Sequence, residues 1–98
     1  MIIVTGSFVA REGCLAEAIA LSLEHVRRSR LENGCVSHSV HQDVENPERV
    51  FFFEEWSDHE ALMTHFSVPA TRAFAKAASA LAVAAPSISI LEARAVKR

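Results

Sequence analysis

The stretch Phe51-Phe52-Phe53-Glu54-Glu55-Trp56-Ser57-Asp58-His59-Glu60-Ala61-Leu62-Met63-Thr64-His65-Phe66 decides the reading of this chain. Its first half is aromatic and reads as a buried strand. Its second half opens with Ser57-Asp58-His59-Glu60, which fits a capping box with Ser57 as the cap and Glu60 reaching back. A short helix follows to Phe66. The join places a carboxylate, an indole and an imidazole on neighbouring elements. Apolar walls with a few convergent polar groups are what a small-molecule pocket needs.

Upstream, Asp43 to Glu48 is a polar turn with proline, preceded by a strand over Cys35 to Gln42. On that strand Val36, His38 and Val40 share one face, and Ser37, Ser39 and His41 the other. Asn33-Gly34 ends a helix that starts at Cys14 and runs to Leu31, with Leu15, Ala18, Ile19, Ser22 and Val26 at helical spacing. Glu24 and Arg28 lie four apart on its outer face and can pair. Ile2 to Ala10 is the first strand, and Gly13 breaks it. Downstream, Pro69 suits the first turn of a renewed helix that runs to about Ala84. Pro86 stops it, and Ser87 to Ala93 is the last strand. The order β-α-β-β-α-β predicts a ferredoxin-like α+β fold with a four-stranded antiparallel sheet.

The chain has 98 residues, which make a single domain spanning 1–98. A chain of this length buries only about 60–65% of its unfolded surface. Half of its residues are apolar, and the excess on a small domain favours a subunit interface. Phe51, Phe52, Phe53 and Trp56 occupy both faces of the third strand. A second sheet from a second subunit is the simplest cover for the face away from the helices. The net charge of −2 gives no electrostatic argument for nucleic acid or an anionic membrane, and neither is expected as a partner. The apolar run Ala73 to Ala85 is too short to span a bilayer and is interrupted by Lys76. The N-terminus lacks the pattern of a signal peptide. Cys14 and Cys35 read as reduced thiols in a reducing compartment, hence a cytoplasmic protein.

The ordered series Asn33-Gly34-Cys35, the Phe-rich strand, Glu54-Glu55-Trp56, Ser57-Asp58, Ala61-Leu62, His65, Pro69 and Phe74 resembles the antibiotic biosynthesis monooxygenase family, within the dimeric α/β-barrel superfamily. The resemblance covers nearly the whole chain. It implies a homodimer whose two sheets form a barrel, with a hydrophobic cavity between sheet and helices. It also implies oxidation of a small hydrophobic aromatic compound, quinol- or anthrone-like, by molecular oxygen without a cofactor. Two positions depart from the family pattern. His38 stands where tyrosine is common, and Ala70 follows the helix-restarting proline where histidine is common. The haem-degrading branch fits poorly, because no histidine follows His65 and the first strand lacks asparagine.

His65 and His38 are the candidate catalytic residues. Imidazole titrates near neutral pH and suits proton removal from a phenol or activated carbon. Each histidine has a competing reading. His65 can instead tie helix to sheet through Glu54, and His38 can be a satisfied core or interface group. The candidate substrate contacts are Trp56, Glu54, Phe52, Phe66, Arg72 and Phe74. Trp56 offers a stacking surface or a core anchor, Glu54 a charge needing a partner, and Arg72 a cation for a phenolate or a solvated side chain. No metal site is expected. His38 and His41 face opposite sides of a strand, His59 and His65 are out of phase on a helix, and there is no two-cysteine pair. The alternative to an enzyme is a dimeric ligand-binding or stress-related protein of the same fold with no turnover. A cavity filled by Phe52, Trp56, Phe66 and Phe74 would favour it.

Overall fold

The computed structural model covers residues 1–98. In chain order it contains β1 (Ile2–Val9), α1 (Leu15–Ser29), β2 (Cys35–Gln42), β3 (Arg49–Trp56), α2 (His59–Ser67), α3 (Pro69–Leu81) and β4 (Ser87–Glu92). The four strands form one antiparallel sheet in the order β2-β3-β1-β4. This is the ferredoxin-like α+β arrangement that the sequence predicts.

β3 sits inside the sheet, and its alternation is strict. Val50, Phe52, Glu54 and Trp56 are buried, and Phe51, Phe53 and Glu55 on the other face are half-buried. Period two puts one set on each side of the pleat. The buried set packs with Phe8, Ala18, Val26 and Ala78 at one end, and with Ile2, Val4 and Leu62 at the other. The opposite face, with Ile3, Thr5, Phe51 and Phe53, is half-exposed, and every residue of β4 is exposed. No helix is long and apolar enough to cross a membrane.

Several boundaries differ from the sequence reading. Asp58, not Ser57, caps α2: its backbone is extended and its Oδ1 accepts from Ala61 N–H at 2.8 Å. Glu60 then falls one position short of the place a capping box requires. α1 ends at Ser29 rather than Leu31, and tight turns lead from there to Gly34. α3 ends at Leu81 rather than Ala84, because the end of β1 captures the chain. Ala82 bridges to Ala10, and Val83 N–H donates to Val9 O at 2.8 Å. A bulge between Cys35 and Ser37 turns Val36 outward to 54% exposure, so it does not share the buried face of His38. The Glu24–Arg28 pair forms at 3.3 Å on the surface, where it contributes little.

Gly34 locks α2 against the start of β2. Its φ is +82°, and a Cβ there would lie 2.5 Å from Ala61 Cβ and 2.8 Å from Ser57 Oγ. Ser57 N–H also donates to Gly34 O at 2.8 Å. Left-handed strain and overpacking together set an expected cost of about 2–5 kcal/mol for Gly34→Ala. Urea midpoints of the variant and the parent check this.

Candidate functional site

The site follows from three side chains that the sheet and helices aim at one region. β2 and β3 pair His38 directly with Glu54. Trp56, two residues beyond Glu54, shares its face and donates Nε1–H to Glu54 Oε1 at 2.9 Å. His38 Nε2 lies 3.2 Å from the same oxygen. By strict geometry no hydrogen bond closes there, and neither nitrogen of buried His38 has a partner.

α1 and α2 bring two further imidazoles. His65 is buried, and its Nδ1 lies 3.0 Å from Glu32 Oε1. His65 therefore anchors to the segment after α1, not to Glu54 as the sequence reading allowed. Its ring centroid is 4.5 Å from that of Trp56. His25 is buried on α1 and stacks on Phe74 at 4.0 Å with planes 5° apart. Its Nδ1 lies 3.4 Å from Arg28 Nη2, which also donates to Ala70 O at 3.3 Å. Centroids of His25, His38 and His65 are 5.3 to 5.8 Å apart.

Burial sets the charge states. It drives the His25 pKa down to about 3, with repulsion from His38 and His65 adding to the effect and Glu54 partly opposing it. Burial pushes Glu54 up, but His38, the Trp56 N–H and His65 outweigh it and hold the carboxyl below its ordinary range. Burial and the nearby Glu32 and Glu54 charges raise the Cys35 thiol, which does not suit a nucleophile.

A cavity of about 310 Å³ opens beside this cluster, between the sheet and α3. Phe52, Phe66 and Phe74 wall it, and His25, Glu54 and His65 supply polar groups. Thr71 also lines it, with a buried hydroxyl that has no partner. The aromatic side chains leave the space open. Trp56 and His38 lie outside the lining: Trp56 is a core anchor behind His65, and His38 sits behind the cavity wall. Arg72 is exposed on α3 and takes no part in the lining. The cation beside the site is Arg28.

The sequence reading missed His25, Arg28, Glu32 and Thr71. A signal for His25 existed, since it shares the buried face of α1 with Ala18, Ser22 and Ser29. One ring nitrogen from each of His25, His38 and His65 lies within 4.8 Å of the others. Pairwise tests within single elements could not reveal this trio, whose members come from α1, β2 and α2. Arg28 would have to release His25 before the trio could hold an ion.

A pH dependence follows from His25. Its folded pKa lies below the ordinary value of 6.5. The unfolded chain therefore takes up a proton that the folded chain refuses. The contribution is fully present above pH 6.5 and is lost as pH falls toward about 3, at about 1.4 kcal/mol per unit. Urea unfolding at pH 6.5 and pH 5 should show this slope in the parent, and His25→Phe should flatten it.

The α+β sheet thus carries a cavity under its helices, lined by His25 and His65. Comparison with known proteins gives the family. The antibiotic biosynthesis monooxygenase profile matches residues 1–77, and the chain belongs to that family. An uncharacterised Synechocystis protein is 37% identical over 68 residues, or 69% of this chain. The match spans about half (46%) of that relative. A Deinococcus radiodurans protein, provisionally described as an antibiotic biosynthesis monooxygenase, superposes with TM-score 0.93 at 26% identity, covering 100% of this chain and 97% of the other. SnoaB, a cofactor-independent oxygenase from Streptomyces nogalater solved as a mutant, gives 0.84 at 19% identity, covering 97% and 94%. At that identity the second likeness speaks to fold alone.

Proposed function

We propose that this protein is a cofactor-independent monooxygenase that oxidises a small, electron-rich aromatic compound of the quinol or anthrone type with molecular oxygen. The observation that carries the reading is the open cavity of about 310 Å³, aromatic on its walls and lined at one end by His65, His25 and Glu54. That volume is at the low end of the range for ligand pockets, about 300–1,000 Å³. It suits a bicyclic or tricyclic ring system.

The chemistry balances without a bound redox group. His65 removes a proton from the phenol or the activated carbon. The resulting anion passes one electron to oxygen, and the carbon radical and superoxide combine to form a C–O bond. The peroxide anion takes the proton back from His65, and the hydroperoxide loses water together with the hydrogen left on that carbon, giving a carbonyl. One oxygen atom enters the product and the other leaves as water. The protein supplies orientation, exclusion of bulk water and proton handling. His38, behind the wall, acts through its neighbours Glu54 and Trp56 rather than on the substrate.

The same reading makes the protein a cytoplasmic homodimer. Exposed Ile88, Ile90 and Leu91 on β4, together with the half-exposed sheet face, offer the apolar surface for a second copy. Oxygen uptake with a panel of quinols and anthrones, metals chelated and autoxidation subtracted, tests the proposal. Uptake above the autoxidation rate supports it, and a panel that never exceeds that rate counts against it.

A further inference from the structure

We infer that His25 and His65 form a complementary donor–acceptor pair that seats a single oxygen of the substrate between them. The inference rests on the oxygenase reading and adds how one oxygen of its aromatic substrate is held. The pairing itself stands on geometry.

The proton positions follow from the partners. A carboxylate only accepts, so His65 must donate Nδ1–H to Glu32 across 3.0 Å. Neutral His65 then has its lone pair on Nε2. A guanidinium only donates, so His25 must accept at Nδ1 from Arg28 across 3.4 Å. Neutral His25 then carries its proton on Nε2. Both rings line the same cavity. One offers a base and the other an N–H, and opposite partners fix these opposite tautomers.

The two rings are close enough to share one oxygen, with centroids 5.4 Å apart. Two hydrogen bonds of about 2.7–3.0 Å meeting at one oxygen place the two nitrogens up to about 5 Å apart. A ring nitrogen of His25 and one of His65 lie within 4.8 Å. A phenol held there donates to His65 Nε2 and accepts from His25 Nε2–H. After proton transfer the oxyanion keeps the His25 bond, and the new imidazolium faces Glu32. Neutral imidazole is an effective donor to such an anion, because its own proton stays in place.

The groups around the pair support this division. Arg28 on α1 faces His25, Glu32 faces His65, His38 on β2 lies behind both, and Glu54 on β3 lines the cavity beside them. Burial keeps His25 uncharged across the physiological range. Glu32 and Arg28 are positioning residues, since each acts through a histidine.

Two measurements on the intact protein test the inference without needing turnover. Long-range ¹H–¹⁵N spectra of the imidazoles at pH 7 should show neutral His65 protonated at Nδ1 and neutral His25 protonated at Nε2. Arg28→Met, which leaves His25 in place, should release the His25 tautomer. The second measurement is binding of 1-naphthol and of naphthalene. The wild type should prefer the naphthol by about tenfold, the worth of one to two modest hydrogen bonds. His25→Phe should erase that preference and leave naphthalene binding intact, and His25→Gln, which keeps an N–H, should restore part of it. The opposite tautomer in either ring overturns the inference. Equal affinity for the two probes, or a preference that survives His25→Phe, also overturns it. Correct tautomers and a naphthol preference in a protein that consumes no oxygen would support the pair and refute the oxygenase reading.

Discussion

Trp56→Ala should leave the protein largely unfolded at physiological temperature. Trp56 is 0% exposed and packs with Ile2, Val4 and Leu62. Truncating a buried aromatic to alanine costs about 3–5 kcal/mol. The same change removes the Nε1–H that Glu54 Oε1 accepts at 2.9 Å, leaving a buried carboxylate short of a donor. That adds about 1–3 kcal/mol. The sum approaches the whole stability of a small domain, about 5–15 kcal/mol. Trp56→Phe separates the two parts in some measure, because it keeps one buried ring and loses the donor with the rest of the indole. Urea unfolding followed by circular dichroism should rank the parent above Trp56→Phe, and Trp56→Phe well above Trp56→Ala. A Trp56→Ala variant within about 1 kcal/mol of the parent would contradict the assignment of Trp56 as the core anchor.

His65→Ala has the largest expected effect on activity. A positioned general base contributes typically about 10²–10⁴-fold. In the proposed reaction His65 takes the first proton, so its loss should lower turnover by at least about 100-fold. The fold should survive, because the abandoned partner Glu32 is part-exposed and can turn to water. Added imidazole should restore part of the rate by entering the space the ring left. His38→Ala should lower turnover less, since His38 lies outside the cavity lining. Equal losses in both variants would mean that the trio acts as one unit rather than through His65. Oxygen uptake rates of the two variants, each checked for folding, decide between these outcomes.

The fold was legible because its signals are periodic. The alternation Val50, Phe52, Glu54, Trp56 fixes which face of β3 turns inward, and helical spacing from Leu15 to Val26 does the same for α1. The errors arose where two local signals compete or where a distant contact decides. Ser57 and Asp58 are both good caps, and the backbone at Asp58 chose between them. The end of α3 is set by pairing with Ala10 and Val9, which no local pattern shows.

The site was legible in outline only. His65, Glu54 and Phe52 could be placed because strand β3 and helix α2 are adjacent in sequence. Arg72 was misplaced by one helical step. Thr71 faces the cavity, and the next residue lies about 100° further around the helix. Glu32 and His65 are separated by 33 residues, and Arg28 and Ala70 by 42. Those contacts assign the tautomers, and they exist only once α1, α2 and α3 have packed on the sheet.

The most direct test of the central claim uses labelled oxygen. Chelated, flavin-free protein is supplied with an anthrone under ¹⁸O₂, and the quinone is analysed by mass spectrometry. The account predicts a single ¹⁸O atom in each product molecule, formed faster than in the protein-free control. A product without label, or labelled product formed no faster than in the control, would contradict it.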